Sequence, residues 1–274
     1  MTTPFRFHPG YRDGLTPAAD DLVVAATPQL QVAVTAQDRL PTYAELSLPD
    51  LRVIGMLDGA PVWAGPLGDG YMGGREHCAE LALRWPEPMG AVAARGAYDV
   101  RWRHTHRFCG ECGGPMVECA GFATRRCGQC ETVAFVPLAL SPAVLVAIAR
   151  RDEVLLVKHT YTVQHMWTLV AGFVEPGETM EQAVAREVWE EVGLAVTDVR
   201  YVTSQAWSQD DPGVLLLGFV ARCGPGAEVT VDEAELAQAR WFDRAALAAV
   251  PAGNLPRRGS IVWQLLAATG MIIE

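Results

Sequence analysis

Residues 172–194 read GFVEPGETMEQAVAREVWEEVGL, a loop rich in glycine and proline that leads into an acidic helix. Thr179 is a residue type that caps helix N-termini, and Gln182, three positions later, completes the pattern of a capping box. Gly193 suits the left-handed backbone conformation with which many helices end. The local sequence therefore predicts a helix that begins just after Thr179 and ends at Gly193.

The glutamates of this helix are concentrated on one side. Glu187 and Glu191 are four positions apart and Glu190 is three from Glu187, so the three carboxylates share a face. Oxygen ligands at this density suit a hard cation such as Mg²⁺ or Mn²⁺, with a solvated acidic face as the plain alternative. The stripe predicted to pack inward consists of Val184, Val188 and Val192, widened by Ala185 and Trp189.

Two C-x-x-C pairs lie in the middle of the chain, Cys109 with Cys112 and, fourteen residues later, Cys127 with Cys130. Two such pairs can hold one tetrahedral zinc ion and leave it no open position, so we predict a structural site. Cys119 lies between the pairs and is not counted as a ligand. Four of the seven cysteines have the spacing of metal ligands. This pattern is typical of a protein in a reducing compartment rather than of a protein held together by disulfides.

The composition indicates a folded protein of two domains and a small third. The chain has 274 residues, half of them hydrophobic, and a net charge of −10. This charge argues against a protein that coats nucleic acid or an anionic membrane, but it permits an anionic substrate held through a metal ion. No apolar run approaches a membrane span, and the first residues lack the apolar core of a signal peptide, so we expect a soluble cytoplasmic protein.

We predict an N-terminal domain of mixed α/β structure at residues 1–105, a zinc ribbon at 106–137 and a third domain at 138–274. Within the first, LVVAA, LQVAVTA and LRVIGMLDGAPVWAGPL predict short strands, and residues 75–103 predict helix. The basic run RWRHTHR at 101–107 is best explained as a solvated helix end. A ligand contact, in a local patch with Arg125 and Arg126, is the alternative.

The third domain mixes strands and helices, which indicates the α+β class. AVLVAIAR and EVLLVKH predict a hairpin, and further strands are predicted near VRYVTSQAW and VLLLGFVARC. AELAQARWFDRAALAAV predicts helical character around a short ARWF strand, and GSIVWQLLAATG predicts a closing helix.

The spacing within residues 172–194 resembles the Nudix box of the Nudix hydrolases: Gly172, Glu178 after five residues, and REVWEEVGL after seven more. This resemblance implies a loop–helix–loop on an α/β/α sandwich. It also implies attack of water, dependent on Mg²⁺ or Mn²⁺, on a nucleoside diphosphate linked to another group. The metal ligands that it implies are Glu187, Glu190 and Glu191, and one of the last two serves as the base or orients it.

The resemblance assigns supporting roles to three residues around the box. The backbone carbonyl of Ala171 is expected to join the metal ligands, and Glu235 in DEAELAQARWF matches an additional metal-binding glutamate of the family. Arg186 is expected to orient Glu178 and the loop, as arginine does for planar carboxylates.

The order of the parts is similar to that of the NADH-pyrophosphatase branch: a leading domain, RFCGECGGPM, a four-cysteine ribbon and the box. The similarity is clear over residues 90–274 and weak before them. It implies cleavage of NAD(H) to nicotinamide mononucleotide and AMP, removal of NAD caps from RNA, and a homodimer. It also implies four substrate contacts, of which the first and last have core packing as the alternative: Phe173, Gln205, Trp207 and Val262.

One loop departs from the branch. Its members usually read Ser-Gln-Pro-Trp-Pro-Phe-Pro-x-Ser, whereas residues 204–213 read SQAWSQDDPG, which lacks the two middle prolines and the phenylalanine. Because proline stiffens a loop, we expect this one to differ in shape and to move more. The alternatives are therefore a preference for ADP-ribose, a diadenosine polyphosphate or a sugar nucleotide and, in another class, a non-catalytic RNA-binding module.

Overall fold

The computed structural model describes residues 6–119, 124–135, 140–160, 166–207 and 213–272, without the side chains of Phe135 and Trp207. The chain forms two compact units, Met1–Leu140 with Ser208–Gly213 and Ser141–Trp207 with Val214–Glu274. No helix within the described ranges combines the length and the apolar character that a membrane crossing needs.

The first unit begins with a six-stranded sheet. Its strands are β1 Phe7–Arg12, β2 Leu22–Ala26, β3 Gln31–Val34, β4 Arg52–Leu57, β5 Ala60–Pro66 and β6 Gly74–His77, with a short helix α1, Tyr43–Leu46, between β3 and β4. The order is β1-β4-β5-β2-β3-β6. Neighbours are antiparallel except β2 and β5, which are parallel. The strands predicted in this region are confirmed.

Two helices follow the sheet, α2 at Cys78–Arg84 and α3 at Met89–Thr105. The single helical segment predicted at 75–103 is wrong at its start and at its middle. Residues 74–77 pair with β3, and two prolines lie at 86 and 88, where the missing N–H groups and the rigid rings interrupt a helix. The apolar face of α3, which includes Val92 and Ala97, packs with the sheet residues Val24 and Ile54 in one buried cluster.

The cysteine pairs lie around a three-stranded antiparallel sheet formed by β7 Met116–Glu118, β8 Thr124–Cys127 and β9 Val133–Phe135. Arg125 on β8 donates hydrogen bonds to the carbonyl oxygens of Arg103 and His106 at the end of α3, at 2.6 and 2.9 Å. Its guanidinium also lies 3.2 Å from the carboxylate of Glu118. Arg125 therefore ties the small sheet to the C-terminal end of α3.

An ion network continues from this sheet to a buried carboxylate of α3. Glu118 contacts Arg52 of β4 at 3.0 Å, and Arg52 contacts Asp99 at 3.0 Å. Asp99 is fully buried and lies 3.0 Å from Arg103, one turn later on α3. Arg103 of the basic run and Arg125 of the alternative basic patch therefore have structural partners within the first unit.

The second unit is built on a six-stranded sheet with three helices. The strands are β10 Leu140–Arg150, β11 Glu153–His159, β12 Val170–Phe173, β13 Val196–Trp207, β14 Gly213–Cys223 and β15 Leu236–Asp243. The helices are α4 Met180–Val192, α5 Arg244–Ala248 and α6 Ile261–Ala268. The sheet order is β13-β14-β10-β11-β15, and β12 pairs with β10. The predicted hairpin is β10 and β11, and the predicted strands near VRYVTSQAW and VLLLGFVARC are β13 and β14.

Helices cover both faces of this sheet. Alternate residues of β10 belong to different clusters: Val144 and Val146 pack with α4, and Leu145 and Ala147 pack with α5 and α6. Period-two alternation between two apolar clusters is what a strand buried on both faces requires. The predicted α/β/α sandwich is therefore confirmed.

Two sequence expectations about the second unit are wrong. Residues from Leu236 onward do not turn into helix before ARWF, because β15 pairs with β11 from His159 back to Glu153. On α4, Ala185 and Trp189 do not widen the buried stripe. Both are exposed, Trp189 by 63%, since Val184, Val188 and Val192 already fill the contact with the sheet.

Candidate metal and catalytic centre

The acidic helix α4 begins and ends as its sequence predicts. Thr179 Oγ1 accepts a hydrogen bond from Gln182 N at 3.2 Å, and Gln182 Oε1 accepts one from Thr179 N at 2.8 Å. Gly193 ends the helix with φ at 67°, where a side chain would be strained. These local interactions fix where α4 begins and ends, and therefore where its glutamates lie relative to the loop before it.

Arg186 connects that loop with the carboxylates of α4. Its guanidinium holds Glu178 through two hydrogen bonds, at 2.6 and 3.1 Å, and donates to the Phe173 carbonyl oxygen at 2.9 Å. It also donates to Glu187 at 2.7 Å and Glu190 at 3.0 Å. The hydrogen bonds from Arg186 lower the pKa of Glu178. The expected contact of Arg186 with Glu178 is present, and Arg186 also contacts Glu187 and Glu190.

Glu191 is a buried acid without hydrogen-bond donors. Its side chain is 1% exposed, and neither carboxylate oxygen has a partner among the described residues. Burial first, and then the charges of Glu187 and Glu235, raises the pKa of Glu191 to about 8. Burial also raises the pKa of Glu187. A buried carboxylate without a donor is costly, so this position calls for a cation.

Backbone geometry brings Glu187 against the strand that precedes the loop. A Cβ atom on Gly172 would overlap the Glu187 carboxylate, so only glycine permits this close approach. The backbone N–H of Ala171 approaches the Glu191 carboxylate and acts to lower the pKa of that acid, but it does not reach hydrogen-bond geometry with either oxygen. The exposed Glu235 approaches from the start of β15, and its charge acts on both buried glutamates.

The residues of this centre fit a hard divalent cation. The candidate donors are carboxylate oxygens of α4 and Glu235, with the Ala171 carbonyl nearby in the chain, and Mg²⁺ and Mn²⁺ prefer such oxygens. Among the described residues these carboxylates do not converge as tightly as the four cysteines do. The orphaned oxygens of Glu191 are the observation that such an ion would answer. In this structure the Arg186 guanidinium contacts Glu187 and Glu190, so an ion would compete with it for those two carboxylates.

The residues expected to contact substrate fall into different environments. Phe173 is 57% exposed, and Val262 is 7% exposed in the cluster that α6 shares with the sheet. Gln205 Oε1 accepts a hydrogen bond from Ile261 N at 3.0 Å, which places Gln205 and Val262 at the same helix start. The Trp207 side chain and residues 208–212 lie outside the described residues. Sequence reasoning missed the bond from Gln205, because nothing local signals a contact 56 positions away.

The four cysteines converge as their spacing predicts. The sulfur atoms of Cys109, Cys112, Cys127 and Cys130 all lie within 4.8 Å of one another. The closest pairs are Cys112 with Cys127 at 3.4 Å and Cys109 with Cys130 at 3.6 Å. Zn–S bonds of about 2.3 Å in a tetrahedron imply S···S distances of roughly 3.8 Å. The hydroxyl of Thr132, 3.1 Å from the sulfur of Cys130, lowers the pKa of that thiol to about 6. The cluster therefore suits zinc.

Comparison with known proteins identifies the family of the part of the chain that contains α4. Residues 139–264 match the family described as the NUDIX domain. The NAD-capped RNA hydrolase NudC of Chromobacterium violaceum is 41% identical over 169 residues, which are 62% of this chain and 62% of that protein. The protein of the same name from Citrobacter koseri is 36% identical over 210 residues, 75% of this chain and 77% of its own length.

A third relative named NAD-capped RNA hydrolase NudC, from Vibrio vulnificus, is 36% identical over 182 residues, 66% of this chain and 68% of that protein. The solved structure of a NUDIX hydrolase from Nitrosomonas europaea superposes with a TM-score of 0.45 and 23% identity, over 58% of this chain and 88% of that one. The lengths matched with the Citrobacter koseri and Vibrio vulnificus proteins show that this chain belongs to the NUDIX family, with the NudC proteins among its relatives.

Proposed function

We propose that this protein hydrolyses the pyrophosphate bond of NAD(H) to nicotinamide mononucleotide and AMP, and that it removes NAD caps from RNA. The observation that carries the proposal is Glu191, a buried carboxylate with two orphaned oxygens beside Glu187 and Glu235. The name of the relatives, NAD-capped RNA hydrolase, supports the choice of substrate.

The chain's own residues supply the positions for the reaction. The ligands proposed for Mg²⁺ or Mn²⁺ are Glu187, Glu190, Glu191, Glu235 and the carbonyl of Ala171. When bound, the ion neutralises pyrophosphate charge and lowers the pKa of a bound water. Glu190 or Glu191 serves as the base that accepts a proton from the attacking water, or orients that base, and Arg186 holds the loop against the helix through Glu178.

The substrate side of the proposal rests on the start of α6 and on β12. Phe173 exposes an aromatic side chain at the start of the box, and Val262 lies at the start of α6, which Gln205 contacts through Ile261. Trp207 is the aromatic residue retained in the altered loop. Because this loop lacks the prolines of the branch, a Nudix enzyme that prefers ADP-ribose, a diadenosine polyphosphate or a sugar nucleotide is the second candidate.

We also propose a structural metal ion, a division into segments and an assembly state for the protein. We assign one structural zinc ion to Cys109, Cys112, Cys127 and Cys130, since four thiolates leave no open position. We propose three functional segments, at 1–105, 106–137 and 138–274, and a cytoplasmic homodimer.

A substrate panel tests the proposed function. The protein with Mn²⁺ is incubated with NADH, NAD⁺, NAD-capped RNA, ADP-ribose and a diadenosine polyphosphate, and product masses are read by mass spectrometry. We expect nicotinamide mononucleotide and AMP from NADH, and RNA with a 5′-monophosphate from the capped RNA. Faster turnover of ADP-ribose or the diadenosine compound would favour the second candidate. No turnover of any substrate, with zinc and fold intact, would favour the non-catalytic alternative.

A further inference from the structure

A cavity of about 590 Å³ opens at the sheet edge of the second unit, and none of the catalytic carboxylates lines it. Its walls include Trp167 and the residues of β15 from Leu236 to Arg240. Leu236 directly follows Glu235, whose charge acts on Glu187 and Glu191. One wall residue of the cavity is therefore the sequence neighbour of a residue proposed for the metal centre.

The cavity wall carries an aromatic, an amide and a cationic side chain, Trp167, Gln238 and Arg240, and Lys158 lies against Trp167 next to the wall. The Nζ atom of Lys158 lies 4.6 Å from the centroid of the Trp167 ring, and the ring meets Phe242 edge-on at 4.9 Å. Lys158 is paired with Gln238 across β11 and β15, and Arg240 lies two residues further along β15. Because residues two apart on a strand point to the same face, these three polar side chains share the face on which Trp167 lies.

Lys158 and Arg240 differ from Arg186 and Arg150 of the same unit. Arg186 and Arg150 each hold glutamate carboxylates at hydrogen-bond distance. Lys158 and Arg240, in contrast, form no ion pair with any residue that the structure describes, and both contact aromatic rings. The acid in the cavity wall, Glu233, is exposed. Two cations without acidic partners, in a protein with a net charge of −10, are available to an anion.

We infer that this cavity is a nucleotide subsite, in which a base stacks on Trp167 and a phosphate is held by Lys158 and Arg240. The inference rests on the proposed function, because it extends the same substrate beyond its pyrophosphate. Aromatic faces bind bases of any sequence, and nearby lysine and arginine neutralise phosphate. The ammonium of Lys158 covers one face of the indole, so a stacking base displaces it towards the phosphate.

The position of the subsite suits the part of a substrate next to the scissile bond. Trp167 precedes Ala171 by four residues of largely extended chain, which is roughly 13 Å at about 3.3 Å per residue. Two sources share the chemistry of a nucleoside phosphate: the adenosine half of a free dinucleotide and a nucleotide of an RNA chain attached to that adenosine. The experiment is designed to distinguish them.

Conservative and non-conservative variants of Trp167 and Arg240 test the subsite. Trp167→Leu removes the aromatic face and Trp167→Phe keeps one. Arg240→Gln removes a cation of the cavity, and Arg222→Gln removes an exposed cation of β14 as the matched control. We expect Trp167→Leu to raise KM about tenfold at nearly unchanged kcat, and Trp167→Phe to stay close to wild type. Arg240→Gln should raise KM severalfold and weaken its salt dependence, and Arg222→Gln should do neither.

Kinetics with NADH and with NAD-capped RNA distinguish the two sources. Equal KM shifts for both substrates assign the subsite to the adenosine half, and a shift confined to the capped RNA assigns it to the RNA chain. Calorimetric titration with AMP and with a ten-nucleotide 5′-phosphorylated RNA tests binding without turnover, so the subsite can be judged even if the proposed hydrolysis fails. The inference would be overturned if Trp167→Leu had the KM values of the wild type, or if it bound both AMP and the ten-nucleotide RNA with the affinity of the wild type.

Discussion

Glu191→Gln is expected to change the pH dependence of stability when Mg²⁺ and Mn²⁺ are absent, and to remove hydrolysis when they are present. Glu191 is 1% exposed and both of its oxygens are orphaned. Without a divalent ion, burial raises its pKa from an ordinary 4.5 to about 8. The ionised side chain is therefore unfavourable in the folded protein, whereas glutamine has no proton to lose.

The sign and size of the effect follow from linkage. As the pH rises above 4.5, the unfolded chain releases the Glu191 proton first, and the folded protein keeps it until about pH 8. The free energy of unfolding of the wild type therefore falls across this window and levels off above it. At about 1.4 kcal/mol per pKa unit, the full loss would be about 5 kcal/mol. Water drawn towards a buried charge reduces such penalties, so we expect about 2 kcal/mol.

Urea denaturation at several pH values between 5 and 8 measures this difference in protein that retains zinc but has been dialysed free of Mg²⁺ and Mn²⁺. The wild type should lose about 2 kcal/mol relative to Glu191→Gln across that range. Glu181→Gln, an exposed position on the same helix, is the control and should follow the wild type. Equal pH profiles for wild type and Glu191→Gln would refute the burial argument.

Saturating Mn²⁺ should reverse the order of stability of the wild type and Glu191→Gln. A ligand that binds the folded state alone stabilises it by mass action, so the wild type should gain stability and Glu191→Gln much less. At the same Mn²⁺ concentration, kcat of Glu191→Gln should fall by about a hundredfold or more, the scale of a lost metal or base contribution. Near-normal turnover in a folded Glu191→Gln protein would contradict the role proposed for this residue.

Three further substitutions test other parts of the molecule. Cys127→Ser should lower zinc well below one ion per chain and reduce the melting temperature, and elemental analysis with thermal melting would show this. Gly172→Ala should keep the fold but displace Glu187, so titration of activity with Mn²⁺ should show an affinity about tenfold or more weaker; unchanged affinity would contradict the overlap described. Trp207→Ala should raise KM for the preferred dinucleotide about tenfold if the loop still contacts a base, whereas a lower melting temperature with unchanged KM would indicate core packing.

Local signals predicted the acidic helix α4 well. Its cap at Thr179, its end at Gly193 and the shared face of its glutamates each depend on residues within a few positions of one another. The cysteine cluster is similar, because the geometry of a tetrahedral ion restricts which spacings can converge. These features could be derived from the sequence since the physical cause of each lies within a short stretch of chain.

Features that depend on distant partners could not be derived in this way. The parallel pairing of β2 with β5 and the extended form of residues 236–239 are decided by neighbouring strands. Trp189 lies beside the valine stripe on α4, yet its side chain is exposed. The bond from Gln205 to Ile261 and the contact of Glu187 with Gly172 likewise require the folded chain.

The ion network of the first unit gives the loss of zinc a consequence beyond the ribbon. Glu118 and Arg125 lie on the strands between the cysteine pairs, and through Arg52 they complete the surroundings of the fully buried Asp99. If chelation loosens the ribbon, α3 loses the donor that covers its last carbonyl groups, and a buried carboxylate loses part of its compensation. Amide hydrogens near Thr105 and in β4 should then exchange with deuterium faster, although neither segment contains a cysteine ligand. Scarcity of one trace metal would in this way make the N-terminal half of the protein more susceptible to proteases.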